Sequence, residues 1–330
     1  VKNQNRNILV TGGAGFIGSH LVDYLLAESD RIVVLDNFNM FYNPAVKRHN
    51  IINHLKQPNY KLIEGDLRSD EDLERVFAQG PFDRVVHLAA MAGVRPSLID
   101  PAHYMDVNVT GTEKLLKKVN GQGHSCRFVF GSSSSVYGKR SGERFSEADR
   151  IDQPLSPYAA SKISGELSCY TSHYNHGLPV VCLRFFTVFG PRQRPDLAIH
   201  KFAKLIEAGQ PIEMFGDGSS KRDYTYVADI VSGITKAMEY KATDYEIINL
   251  GRGEPVYLKD MIAAIEEALG KKASINQKPF EIADMPYTYA DISKARQLLG
   301  YQPQTTFADG IKQFVNWHSS LLDMTYGSPA

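Results

Sequence analysis

Charge of one sign is what this sequence lacks most plainly: 37 lysines and arginines balance 37 aspartates and glutamates over 330 residues. With no net field to gather a polyanion, neither nucleic acid nor an anionic membrane is an expected partner, and any anion must be recognised by local groups. Cysteine is scarce. Cys126, Cys169 and Cys182 have neither the spacing of a disulfide framework nor that of a metal site. The first and third lie in apolar, strand-like runs, so buried free thiols in a reducing cytoplasm are expected. No apolar run approaches the ~18 residues that cross a bilayer, and no signal-peptide pattern precedes the first predicted strand. Repeats and low-complexity segments are missing, and the ten histidines form no ligand cluster, so no metal is expected.

What is present is apolar material for a large core: 43% of residues are hydrophobic, which suits one big domain or two smaller ones. Short apolar runs at 7–10, 31–35, 60–63, 84–88, 127–130 and 180–185 read as strands. Helical patterns fall between them at 17–27, 45–55, 70–78, 101–119 and 157–174. Ser69 followed by Asp70, Glu71 and Asp72 marks a helix start, because acids there complement the N-terminal dipole. Such alternation implies a parallel sheet covered on both faces. Beyond about residue 187 the loops lengthen, and helices at 229–240, 258–269 and 307–322 alternate with brief strands. The expected architecture is α/β: a doubly wound parallel sheet over 1–186 with a smaller C-terminal α/β lobe over 187–330, interleaved across a soft boundary.

The first predicted strand runs into Thr11-Gly12-Gly13-Ala14-Gly15-Phe16-Ile17-Gly18. Glycines at these spacings allow a tight turn and let the backbone approach a pyrophosphate at the next helix's N-terminus, the arrangement of a Rossmann fold. The second strand ends in Asp36-Asn37, an acid placed to bind a ribose 2′-hydroxyl and to repel the extra phosphate of NADP, so NAD is the expected cofactor. Asp66 and Leu67 close the third strand where an adenine would sit. Leu88, Ala89 and Ala90 follow the fourth strand with little bulk, and Phe185 ends the sixth.

Tyr158 and Lys162 stand four apart in a predicted helix and so share a face. A free phenol, with a pKa of ~10, is a poor base at neutral pH; a fixed cation nearby is expected to lower that value and make Tyr158 a proton acceptor. Upstream, the fifth strand leads into Gly131-Ser132-Ser133-Ser134-Ser135-Val136-Tyr137-Gly138, read as a loop at the ligand crevice. With the glycine turn, Asp36, this serine stretch and the Tyr158/Lys162 pair in order, nearly the whole chain resembles the extended short-chain dehydrogenase/reductases. Within them it looks most like the NAD-dependent nucleotide-sugar 4-epimerases that act on UDP-glucuronate. The resemblance implies that Ser133 relays the substrate proton, that Tyr158 accepts it, and that Lys162 holds the nicotinamide ribose. It also implies that Asn108 braces the site. The implied reaction is 4-epimerisation of a UDP-sugar through a transient 4-keto intermediate, UDP-glucuronate to UDP-galacturonate. UDP-glucose and UDP-N-acetylglucosamine stay open as substrates. Relatives that dehydrate or decarboxylate carry an acid just before Val-Tyr-Gly, where this chain has Ser134 and Ser135, which disfavours those reactions.

The same resemblance supplies the substrate end. Arg222 suits a diphosphate with its forked, permanent charge, and Tyr224 and Phe215 are expected against the nucleotide. Asp284 matches an acid that binds its ribose, although Glu281 departs from the arginine or glutamine common in relatives. For a sugar carboxylate the candidates are Thr187, Arg194, Arg95 and the hydroxyls of Ser133, Ser134 and Ser135. The stretches 101–119 and 157–174 resemble the helices through which the family forms homodimers.

Overall fold

The computed structural model describes residues 6–139, 144–280 and 287–326. The first half winds strand and helix alternately: β1 (Asn7–Thr11), α1 (Phe16–Ala27), β2 (Arg31–Asp36), α2 (Pro44–Asn50), β3 (Tyr60–Glu64), α3 (Asp70–Phe77) and β4 (Arg84–His87). Short helices α4 (Val94–Ile99), α5 (Pro101–Met105) and α6 (Gly111–Asn120) follow, then β5 (Arg127–Ser133), α7 (Pro157–His176) and β6 (Val180–Phe185). The second half begins with β7 (Thr187–Phe189), α8 (Ala198–Glu207), β8 (Ile212–Phe215), β9 (Lys221–Tyr226), α9 (Val227–Glu239) and β10 (Tyr245–Leu250). It closes with β11 (Pro255–Tyr257), α10 (Leu258–Leu269), β12 (Ile275–Lys278), α11 (Ser293–Leu299) and α12 (Phe307–Tyr326).

Seven strands form one sheet in the order β10-β6-β5-β4-β1-β2-β3, and every pairing in it is parallel. Ile8, Leu9 and Val10 of β1 have no exposed surface, as a strand covered on both faces requires. Strand order reverses between β1 and β4, so a crevice opens beyond their C-terminal ends. β10 comes from the C-terminal half yet pairs along β6 from Tyr245↔Val180 to Leu250↔Phe185. β7, β9 and β11 make a small second sheet, and β8 and β12 pair separately. All three cysteines are buried and free. Among the described residues no helix is long and apolar enough to cross a membrane, and no three potential metal ligands cluster.

Local chemistry starts and stops these elements. Ser69 caps α3 by accepting from the Asp72 N–H, and Ser156 caps α7 by accepting from Ala159, ahead of Pro157 at the first helical position. Three departures from the sequence reading have visible causes. The helix expected over 45–55 stops at Asn50, whose buried side chain donates to the Ala14 carbonyl of the glycine turn at 3.1 Å. The helix expected over 101–119 is interrupted by a π-helical segment, Asp106–Thr110. That bulge carries Asn108, whose amide brackets the Met91 backbone: Met91 N donates to Oδ1 at 2.7 Å, and Nδ2 donates to Met91 O at 2.9 Å. Finally, the serine stretch continues strand β5 through Ser133, because Ser132 and Ser133 find Arg184 and Phe185 as partners on β6.

A Cβ at Gly165 would come 2.3 Å from the Phe130 ring, so α7 rests on β5 at a separation that only glycine allows. Gly165→Ala is expected to cost roughly 1–3 kcal/mol through overpacking. The loss should appear as a lower urea midpoint at constant m value; an unchanged midpoint would mean that the helix can lift off the strand freely.

Candidate active site

A cavity of about 510 Å³ opens at the C-terminal ends of the central strands, lined from both halves of the chain. Its inner wall is the glycine turn. Gly12 has φ of +73°, and a Cβ there would lie 2.7 Å from the Ala89 N, so side chains at this corner are excluded by the end of β4. Gly15 precedes α1 with no side-chain cap and no acid in the first turn, leaving the helix N-terminus available to an anion. Asp36, 6% exposed, accepts from the Ala14 N–H at 3.1 Å and the Phe38 N–H at 2.9 Å. It thereby ties β2 to the turn. Gly12, Gly15, Phe16, Ile17, Gly18, Asp36, Asn37, Asp66, Leu67, Leu88, Ala89, Ala90 and Phe185 all line the cavity. Two Arg68 bonds to Asp66, at 2.9 Å each, hold that carboxyl well below the usual carboxylate range. This bare glycine corner, free helix end and buried acid fit a dinucleotide such as NAD.

The reacting end joins β5 to α7. The Ser133 hydroxyl lies near the Tyr158 phenol and favours its charged form, and the serine oxygen accepts from Ser135 N at 3.2 Å and Ser135 Oγ at 3.0 Å. Lys162, 5% exposed, donates to the Gly131 carbonyl at 2.7 Å and lies 6.0 Å from the centre of the Tyr158 ring. Burial brings its ammonium down to about 8, against an upward pull from Cys169 and Glu166. The expected lowering of the Tyr158 phenol is not observed. Burial holds it above its ordinary value, outweighing the Ser133 hydroxyl and the charge of Arg194. Asn108 lies outside the lining, and besides bracketing Met91 it donates to Ser161 of α7 at 2.9 Å. His87, buried beneath the site between Thr11 and Thr112, is brought down to about 3 and stays neutral.

At the outer end, Ser134, Ser135, Thr187, Arg194 and Arg222 line the same cavity, with Thr288 beside them. Arg194 is clamped by Asp196 through Nε at 3.0 Å and Nη2 at 2.8 Å, and its guanidinium lies over Phe41, 5.2 Å from the ring centre. Arg192 turns elsewhere and pairs with Asp23 of α1 at 2.7 Å. Arg95 and Phe215 come together, 5.1 Å from guanidinium to ring, but outside the cavity lining. Tyr224 is not against the cavity as expected: it is 5% exposed, and Phe189 and Phe307 enclose its ring within the core. Asp284 and Glu281 lie outside the described residues. Sequence reasoning passed over Phe41, which also lines the cavity together with Tyr42; aromatics interleaved with Asn37, Asn39 and Asn43 were the available signal.

Comparison with known proteins places this geometry in context. The GDP-mannose 4,6 dehydratase family model matches residues 9–314. The UDP-glucuronate 4-epimerase of Thermodesulfobacterium geofontis is 40% identical over 317 residues, spanning 96% of this chain and 97% of that protein. The crystal structure of UDP-glucuronic acid 4-epimerase from Bacillus cereus in complex with UDP-glucuronic acid and NAD is 38% identical. It has a TM-score of 0.89 over 96% of this chain and 99% of that one. The UDP-N-acetylglucosamine 4-epimerase of Methanobrevibacter ruminantium M1, in complex with UDP-N-acetylmuramic acid, is 31% identical, with a TM-score of 0.88 over 97% and 100%.

The buried lysine has a consequence for stability. Its value of about 8 in the folded protein lies below the ordinary 10.5. Below about pH 8 the ammonium is charged in both states and its burial penalty is fully present; as pH rises toward 10.5 the unfolded chain binds more protons and the penalty fades. Lys162→Met is therefore expected to raise the melting temperature of the cofactor-free protein at pH 7 by about 2–4 °C, and by less at pH 10. Equal gains at both pH values would reject charge burial as the cause.

Proposed function

The chain belongs to the GDP-mannose 4,6 dehydratase family of extended short-chain dehydrogenase/reductases, and from that premise we propose that it interconverts UDP-glucuronate and UDP-galacturonate. It is an NAD-dependent UDP-sugar 4-epimerase, and what the proposal adds is the sugar and the residues that read it. Bound NAD supplies the acceptor for hydrogen lost from C4. Ser133 and Tyr158 take the proton of the 4-hydroxyl, the serine as relay and the phenol as acceptor. Because burial opposes the phenolate, positive charge must offset it: Arg194 does so directly, and the Lys162 ammonium lies close behind the ring. Rotation of the 4-keto sugar, return of hydride to the other face of C4, and return of the proton from Tyr158 through Ser133 to O4 give the epimer. Ser134 and Ser135 occupy the places where dehydrating and decarboxylating relatives carry an acid, so elimination and decarboxylation lack that base.

The observation that carries the uronate reading is Arg194, largely buried in the cavity lining, near enough to Tyr158 for its charge to act on the phenol, and fixed in plane by Asp196. Asp196 engages two of its nitrogens, so a C6 carboxylate is read by the remaining one together with Thr187 and the serine hydroxyls. Arg222 serves the diphosphate. Thr288, small and 6% exposed in the lining, favours a second reading in which an N-acetyl group at C2 is accommodated. The buried free thiols suit a reducing, cytoplasmic setting. Leu167, Tyr170 and Tyr174 form an exposed stripe on α7, with Ile99 of α4 87% exposed, and this face is proposed to pair with a second copy of the chain.

Incubation with UDP-glucuronate should yield UDP-galacturonate by proton NMR; absence of that product rejects the substrate assignment, and carbon dioxide release would instead indicate decarboxylation. A charge-assisted contact contributes ~1.5–3 kcal/mol, so Arg194→Ala should lower kcat/KM on UDP-glucuronate about 10- to 150-fold more than on UDP-glucose. Equal losses on both sugars would remove Arg194 from carboxylate recognition. Sedimentation should give a dimer that Leu167→Glu/Tyr174→Glu dissociates, and a monomeric parent protein would exclude the α7 interface.

A further inference from the structure

Three side chains on one face of α7 oppose three consecutive residues of β5, two of them through hydrogen bonds. Tyr158 meets the Ser133 hydroxyl, Lys162 donates to the Gly131 carbonyl at 2.7 Å, and Glu166 accepts from the Ser132 hydroxyl at 2.6 Å. Their spacing, each four residues after the last, aligns them in one row along the helix. Only Glu166 and Ser132 are without a part in the chemistry described above. Glu166 is also gripped from β6, where Arg184 donates through Nε at 2.9 Å and Nη2 at 2.8 Å. Both charged residues are 2% exposed, and strand register puts Arg184 opposite Ser132. The carboxylate is thus fixed from two neighbouring strands at once. Beyond it, Arg184 lies over the Tyr137 ring at 4.8 Å, and the Tyr137 hydroxyl donates to Asn249 of β10 at 2.6 Å.

A buried ion pair contributes little to stability that well-packed apolar residues could not match, so its placement calls for another account. Successive residues of a strand point to opposite faces. Anchoring the Ser132 hydroxyl therefore fixes the direction in which Ser133 presents its own. We propose that Ser132, Glu166 and Arg184 are positioning residues: they lock the register of α7 against the end of β5 and so keep the Ser133 hydroxyl on the Tyr158 phenol. The activity readout of this role rests on the 4-epimerase reading, whereas the geometry can be measured in the protein alone.

Ser132→Ala removes one hydroxyl and little volume. It is expected to lower kcat on UDP-glucuronate, or on whichever UDP-sugar the parent protein turns over, by roughly 10- to 100-fold, the scale on which a misplacement of about 1 Å acts. KM should stay within about twofold, and the amount of NAD bound should match the parent. Glu166→Leu/Arg184→Met removes both buried charges together, which protects the fold, and should give a similar loss; adding Ser132→Ala to it should cost nothing more, since the three act as a unit. In crystal structures of the parent and Ser132→Ala proteins, the distance from Ser133 Oγ to the Tyr158 oxygen should be longer in the variant by about 1 Å. Parental kcat, a fall in melting temperature alone, or an unchanged Ser133–Tyr158 distance would each overturn the proposal. If the parent protein turns over no UDP-sugar, the functional reading fails, and the Ser133–Tyr158 distance alone decides the positioning role.

Discussion

At Gly165 the backbone of α7 comes so close to β5 that a single methyl group would meet the Phe130 ring at 2.3 Å. That contact sets the height of the helix over the sheet, and the reacting end of the cavity is built on it. With α7 at this height, Lys162 reaches the Gly131 carbonyl, Glu166 reaches Ser132, and Tyr158 reaches Ser133. Asn108 secures the other flank by joining the π-helical bulge to Met91 and to Ser161 on α7. A helix even slightly raised would lengthen all of these bonds together, and each is directional enough to weaken steeply.

The chain carries no net charge, so its electrostatics are local and depend on burial. Inside the cavity the balance runs against ionisation. Burial pushes the Tyr158 phenol up and the Lys162 ammonium down to about 8, which means that both charged forms are harder to hold here than in water. Arg194 resists this because guanidinium is effectively always protonated, and because Asp196 and Phe41 hold it in one plane. Around the Tyr158 phenol the site thus sets a permanent cation, Arg194, and a titratable one, Lys162, beside a reluctant acid.

Much of this was legible in local sequence. Gly12 and Asp36 could be read because their demands are steric and short-range: a turn that only glycine makes, and an acid at a strand end. The seriation of strands and helices followed from apolar periodicity for the same reason. Tyr224 was misread because the rings that enclose it, Phe189 and Phe307, lie far away in the chain. The serine stretch looked like a loop because the strand that pairs with it, β6, is some fifty residues downstream, roughly counted. Nor could the helical pattern around Asn108 reveal that its amide would bond the Met91 backbone and that a π-helical bulge would carry it.

By itself, then, the sequence determined which elements form, where the dinucleotide corner lies, and that Tyr158 and Lys162 share a helix face, since each of these rests on local geometry and residue chemistry; Ser133 and Arg194 were assigned to the crevice by resemblance to relatives. Tertiary structure decided how those residues are charged and aimed. The Tyr158 phenol stands high because neighbours from several elements exclude water from it. Arg194 points one way and Arg192 another because Asp196 and Asp23 wait in different places. Desolvation and strand register depend on chain segments brought together only by folding, and no short-range pattern contains them.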